Sequence, residues 1–160
     1  AWAAVKLTSP GPGFFAQQRV GKGGQLFTCY KFRTMFLGTK EGATHEITAD
    51  SLTSTGRFLR KTKIDELPQV WNILKNELSL VGPRPCLEVQ HELVTERSRL
   101  GVLEEIGGIT GWAQIKNVDM SNPERLAKLD AEYLILRTIP LDLKIMLATA
   151  LGHGQGDKTR

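Results

Sequence analysis

The segment LRKTKIDELPQVWNILKNELSLVGPRP, residues 59–85, collects the side chains of this chain best suited to act together on a substrate. Asp65 and Glu66 are adjacent carboxylates, preceded by Arg57, Arg60, Lys61 and Lys63. On a regular helix two neighbours point about 100° apart. At a helix N-terminus the geometry is looser and the free backbone N–H groups favour anions. There an Asp-Glu pair can bind Mg²⁺, supply a carboxylate nucleophile, or both, since Mg²⁺ takes one or two carboxylates and fills its sphere with water and substrate phosphates. Acidic residues in a first turn also have a plain structural explanation, because they complement the helix dipole. A carboxylate attacking phosphorus meets an anionic substrate, and arginine forks or a metal ion lower that barrier by neutralising phosphate oxygens. Arg84 stands between Pro83 and Pro85, which restrict the backbone on both sides and present a stiff, permanently charged fork. In YKFRTM, Lys31 and Arg33 alternate with Tyr30 and Phe32, so a strand would put both cations on one face. Taken singly, each of these has an ordinary reading as a solvated charged surface or an exposed turn. Together they describe a phosphate-transfer site without His or Cys. The glycine-lysine run VGKGG lacks the order of a P-loop.

The elements that must position these groups fit one domain of 160 residues, with 41% hydrophobic and 24% charged residues. The net charge of +4 favours an anionic partner without choosing among phosphate, nucleotide, nucleic acid and lipid headgroup. Cys29 and Cys86 are far apart, as small buried hydrophobes of a reducing compartment would be, and His45, His91 and His153 have no ligand spacing. No apolar run reaches the ~18 residues of a membrane span, and no signal peptide is visible. AWAAVKL, residues 1–7, reads as the end of a hydrophobic helix, or as a short first strand or helical turn.

Residues 9–13, SPGPG, form a turn, and the runs on either side of GKGG predict an antiparallel hairpin over residues 14–35. Residues 37–55 read as a polar surface loop. STGRFLRKT predicts a short helix, and Leu67, Val70, Trp71 and Leu74 predict one apolar face of another that starts close to Asp65, with Pro68 in its first turn. SLVGPRP reads as a rigid connection. The stretch from Cys86 to Ile106 reads as a further helix, and GGITGWAQI as a glycine-punctuated loop leading into a short extended piece. Another helix follows, capped by Asn122 with Pro123 at its first position, then a last, strongly apolar one in PLDLKIMLATAL. Residues 152–160 form a glycine-rich, flexible tail. The fold expected is a helix-dominated α/β (α+β) domain with a short N-terminal antiparallel β-hairpin.

KFRTM, RFLRKTKIDELPQVWNILKNELSLVGPRP, GITGWAQI and LDLKI, in this order, resemble the bacterial sugar transferases, the monotopic polyprenyl-phosphate phosphoglycosyl transferases. The likeness covers about residues 5–150. It implies transfer of a phospho-sugar from a UDP-sugar to a polyprenol phosphate such as undecaprenyl phosphate, with release of UMP, at the cytoplasmic face of the bacterial inner membrane. That reaction opens lipopolysaccharide, capsule or exopolysaccharide assembly. It further implies Asp65 as a nucleophile that becomes a phospho-sugar ester, and Glu66 in metal binding or proton handling of the acceptor. Mg²⁺ would be held by Asp65 and Glu66, substrate phosphate by Arg60, Arg84, Lys31 and Arg33. On this likeness residues 1–7 are the end of a re-entrant membrane helix, residues 1–160 are a single catalytic domain, and a homodimer is a candidate assembly.

Two motifs depart from the family pattern. Gly107 stands where PGITGWAQV has its proline, which should loosen the loop, and KNVDM replaces NGRN, leaving Lys116 as the nearest substitute for its arginine. Three rivals have weaker support. A nucleic-acid-binding module would keep carboxylates away from its basic run, whereas here that run leads into Asp65-Glu66, so no nucleic-acid partner is expected. An inactive membrane-surface scaffold would rest on the basic excess and the apolar helix near residues 141–151. Water as acceptor would make the chain a nucleotide-sugar pyrophosphatase.

Overall fold

A computed structural model describes residues 1–39 and 49–153. The chain opens with α1 (Trp2–Thr8), so the helical alternative for its first residues holds, with Val5 buried and Trp2 and Leu7 exposed. β1 (Phe14–Val20) and β2 (Leu26–Phe32) then form the predicted hairpin, in register from Phe14 opposite Phe32 to Val20 opposite Leu26. Gly23 and Gly24 supply the positive φ angles of its turn, +64° and +74°. Part of the expected surface loop, residues 40–48, and most of the expected flexible tail, residues 154–160, lie outside the described residues.

α2 (Ser54–Thr62) starts where the sequence predicts, because Thr53 Oγ1 accepts from Gly56 N at 2.9 Å. Gly56 packs on the backbone of Thr34, where any Cβ would collide, and this close approach brings α2 against the end of β2. Lys63 closes the helix in the left-handed conformation, φ 59°.

The segment after Lys63 departs from its predicted form. A 3-10 helix spans Ile64–Gln69 and only then does α3 (Val70–Leu74) begin. Pro68 has no N–H to donate, which a tighter, short helix tolerates. The expected core face is also reversed: Leu67, Val70, Trp71 and Leu74 are all exposed, whereas Asp65, Glu66, Gln69 and Asn72 are buried. Spacing of i, i+3 in a 3-10 helix stacks residues on one side, which puts Glu66 and Gln69 together, and Glu66 and, from α3, Asn72 bond to β2.

Two further expectations are corrected. SLVGPRP is more than a connection, because its first residues form β3 (Ser79–Val81), paired in parallel with β4 (Gly108–Thr110). The three residues of β3 carry too little alternation to be read from sequence. The helix expected from Cys86 to Ile106 is only α4 (His91–Arg99), stopped by Gly101 at φ 71°, a glycine C-terminal stop. After α5 (Trp112–Ile115), α6 (Pro123–Leu136) has the predicted cap, Asn122 Oδ1 accepting from Arg125 N at 3.1 Å. α7 (Ile139–Ala150) is apolar as predicted, and no helix of the described residues is long and apolar enough to cross a membrane.

The result is a mixed α/β domain, mostly helical, with an N-terminal antiparallel hairpin and a small parallel pair. One core joins Val20, Cys86, Leu93, Ala113, Val118, Leu126 and Ala127, and a second joins Val81, Tyr133 and Ile145. Cys29 and Cys86 are buried free thiols.

Candidate active site

Three elements converge on Glu66. Its Oε1 accepts from Lys31 Nζ at 2.8 Å and from Arg84 Nη2 at 2.6 Å. Lys31 comes from β2, whose outer edge is matched by Asn72. Tyr30 N donates to Asn72 Oδ1 at 3.2 Å, and Asn72 Nδ2 donates to Thr28 O at 2.7 Å, so one side-chain amide pairs with the strand as a neighbouring strand would. Asn72 is fully buried, and its Nδ2 also meets Glu77 Oε2 at 2.7 Å.

Arg84 comes from the Pro83-Arg84-Pro85 segment. Both prolines are buried and have no N–H, so they must be held through their carbonyls. Pro83 O accepts from Gly108 N at 2.9 Å, Arg84 O from Arg97 Nη1 at 2.9 Å, and Pro85 O from Arg19 Nη1 at 3.1 Å. The Arg84 side chain is fixed in turn by Nη1, which donates to Ile109 O at 3.0 Å. Gly107, expected to loosen this region, is buried against Pro83 and Pro85, and its carbonyl accepts from Ser79 N at 2.8 Å. The glycine is therefore held, and it leaves room for the two prolines.

Asp65 and Glu66 are both 7% exposed but titrate in opposite directions. Burial, then the neighbouring Glu66 charge, pushes Asp65 up to about 6, and Lys31, Arg60 and Arg84 oppose the rise without cancelling it. Burial would raise Glu66 too, but the charges and hydrogen bonds of Arg84 and Lys31 outweigh it and hold Glu66 well below the usual carboxylate range. One carboxylate is thus ionised under all ordinary conditions, and the other is poised near neutrality.

The remaining residues singled out in the sequence divide. Arg60 lies close enough to act on Asp65, and its guanidinium donates from Nε to Thr34 Oγ1 at 3.0 Å and from Nη2 to Met35 Sδ at 3.3 Å. Arg33 is buried and donates to Pro10 O at 2.7 Å and Ser9 O at 2.8 Å, pinning the turn after α1. β2 ends at Phe32, so the alternation that paired Arg33 with Lys31 stops one residue short. Lys116 lies over the Trp112 ring at 4.2 Å and meets Glu132 at 3.3 Å, an exposed pair in which it takes no place beside the dyad.

Sequence reasoning missed Asn72, Arg97 and Asp130. A signal for the last two was present. Arg97 falls in register between Leu93 and Leu100, and Asp130 between Leu126 and Tyr133. A charge at a position the apolar period claims marks a buried pair, and Arg97 Nη2 meets Asp130 Oδ2 at 2.6 Å.

Among the described residues no group of three or more His, Cys, Asp or Glu side chains gathers around one point. Asp65 and Glu66 nonetheless fit Mg²⁺, a hard ion that accepts one or two carboxylates and takes its other oxygens from phosphate and water.

A buried carboxylate poised near neutrality thus stands beside a second kept charged by an ammonium and a guanidinium. Residues 1–154 match the model of the bacterial sugar transferase family, and the chain belongs to that family. It is 44% identical over 149 residues to the uncharacterized sugar transferase EpsL of Bacillus subtilis, covering 92% of this chain and 72% of that protein. It is 36% identical to the UDP-glucose:undecaprenyl-phosphate glucose-1-phosphate transferase of Xanthomonas campestris pv. campestris, covering 92% of this chain and 32% of the relative. To the undecaprenyl-phosphate galactose phosphotransferase of Salmonella typhimurium it is 32% identical, over 88% of this chain and 33% of the relative. The chain therefore spans about a third of these two longer relatives.

Proposed function

We propose that this chain moves a sugar-1-phosphate from a UDP-sugar to a polyprenol phosphate, as the names of its relatives describe for glucose and galactose, in two displacements at Asp65. In the first, an Asp65 carboxylate oxygen bonds to the sugar-bearing phosphorus and the bond to UMP breaks, UMP leaving with the electron pair. In the second, an oxygen of the lipid phosphate attacks that phosphorus and the aspartyl bond breaks, restoring the carboxylate. Splitting the exchange gives each bulky phosphate its own turn at one site.

The observation that carries this reading is the opposite titration of the two neighbours. Asp65 is buried, and Lys31, Arg60 and Arg84 offset only part of the cost of its charge, so it is reactive once ionised. Glu66 stays charged and orients Lys31 and Arg84 around it. A donor pyrophosphate offers these two cations a doubly charged partner in place of one carboxylate oxygen, and Arg60 adds positive charge beside Asp65. A permanently ionised Glu66 favours a role in holding cations over one in passing protons. Mg²⁺, held by Asp65 and Glu66, would neutralise phosphate charge as it builds up. The face of action is the cytoplasmic side of the bacterial inner membrane, where both donor and lipid acceptor meet.

The test is the intact mass of the protein after incubation with Mg²⁺ and a panel of UDP-sugars without lipid, beside Asp65→Asn. A phospho-sugar increment on the unaltered protein alone supports the reading and names the sugar. An adduct that persists in Asp65→Asn removes Asp65 as nucleophile. UMP release without adduct, undiminished by added polyprenol phosphate, makes the chain a hydrolase.

A further inference from the structure

Arg97 and Asp130 take no part in the displacements above, yet they reach the centre of the site through the backbone. Arg97 is 2% and Asp130 3% exposed. Arg97 Nε and Nη2 both donate to Asp130 Oδ2, at 3.0 and 2.6 Å, and its third nitrogen donates to the carbonyl of Arg84. One guanidinium therefore joins a carboxylate on α6 to the backbone of the residue whose own guanidinium meets Glu66.

We infer that Arg97, held by Asp130, is a positioning residue that fixes the Arg84 backbone and so aims the Arg84 side chain at Glu66 and at the donor phosphate. The phosphate half of that statement rests on the proposed function, and the Glu66 half does not. Proline fixes its own φ, and Pro85 confines Arg84 before it to extended backbone, so what remains to be set is where Arg84 lies within that region. That choice turns the Arg84 carbonyl, and the atom that pins this carbonyl is Arg97 Nη1. The flanking carbonyls are already anchored by Gly108 N and Arg19 Nη1, so a shift in the middle of the segment is not absorbed on either side but passes to the Arg84 Cα–Cβ direction. Asp130 supplies the counter-charge without which a buried guanidinium would be expelled or force the helices apart. Lysine could not do the same, because a single nitrogen lacks the fork that faces two partners at fixed angles.

A purely structural role would also join α4 to α6, so the test must separate the two. Replacing a buried ion pair by apolar side chains of similar volume often preserves stability. The variant Arg97→Met with Asp130→Leu therefore keeps the packing and removes the bond to Arg84. The first readout needs no substrate: crystal structures of wild type and of this double variant, read at the Arg84 Nη2 to Glu66 Oε1 contact, 2.6 Å in the intact site. A folded double variant in which the Arg84 carbonyl has turned and this contact is lost supports the inference, and one that keeps both overturns it. Should the double variant not fold, Arg97→Lys is read in the same way.

The second readout is the rate of adduct formation on Asp65. It falls roughly 10- to 100-fold in the double variant, the size of effect that misplacing a catalytic group produces. It falls no further when Arg84→Gln is already present, because both changes act through one side chain. Additive losses would mean that the pair acts through packing alone. If wild type forms no adduct with any donor, the proposed function fails while the Arg84–Glu66 contact in the variant structures still decides the positioning.

Discussion

Arg84 is held at both ends by ionic groups, and the two ends differ in kind. At its side chain, Glu66 gathers Lys31 and Arg84, whose side chains keep 19% and 15% of their exposure. At its carbonyl, Arg97 is matched with Asp130, and those side chains keep only 2% and 4%. The first cluster is reachable, so a pyrophosphate can compete for its cations. The second is sealed, so nothing from solution can exchange with it and its geometry is permanent. A site that must bind and release anions needs both: exchangeable cations, and a frame that does not move when they exchange. The adjacent carboxylates repeat the contrast within two residues, Glu66 stabilised by its cations and Asp65 left carrying the cost of its burial.

Four experiments probe the contrast between the two ionic groups. The largest effect is expected at Asp65→Asn, which should lower phospho-sugar transfer by at least ~10³-fold through loss of the nucleophile. The same variant should melt higher than wild type at pH 7.5, since the amide has no charge to bury. Transfer within tenfold of wild type would remove Asp65 from the mechanism.

Breaking the sealed pair comes next. Asp130→Ala leaves Arg97 charged and unmatched, and should cost about 3–5 kcal/mol of stability in a denaturant titration. A loss below about 1 kcal/mol would mean that Arg97 finds another partner and the frame is less fixed than described.

The third concerns pH. Asp65 binds its proton more tightly folded than unfolded, so the stabilisation it brings is complete below its ordinary value of 3.8 and is lost as pH rises through about 6. At most about 3 kcal/mol is lost across that window. Glu66 has the opposite sign: its contribution is present above the ordinary carboxylate range and disappears only in strong acid. Tm measured between pH 4 and 7 should therefore fall in wild type relative to Asp65→Asn, and parallel curves would refute the burial cost at Asp65.

The smallest effect tests the reversed face after Lys63. Trp71→Ser and Leu74→Ser alter side chains 57% and 73% exposed, and each should change stability by no more than about 0.5 kcal/mol. A loss of 2 kcal/mol in the isolated chain would show that these side chains are packed.

What could be read from the sequence had local causes. Gly23 and Gly24 mark the hairpin turn, and Asn122 and Pro123 mark the start of α6, because turns and caps are decided by residues a few positions apart. The site residues Asp65, Glu66, Lys31, Arg60 and Arg84 were legible as chemical types, since a basic run leading into adjacent carboxylates is unusual on a solvated surface. Period failed at Leu67, Val70, Trp71 and Leu74, where a good apolar stripe is exposed. The opposite side of that segment is claimed by bonds its carboxylates and amides make to β2 and Arg84. Period also failed at Arg33, which lies one residue beyond its strand.

The order of residues carries the inventory: a mostly helical α/β domain, its hairpin, the Asn122 cap, and the acids and bases that a phosphate chemistry would use. Which of those charges meet follows from the folded arrangement. Lys31 reaches Glu66 across 35 positions, Arg84 across 18, and Arg97 reaches Asp130 across 33. Burial and opposing charge act over ångströms in space and have no period along the chain, so only the folded arrangement could set two neighbouring carboxylates on opposite sides of their ordinary titration.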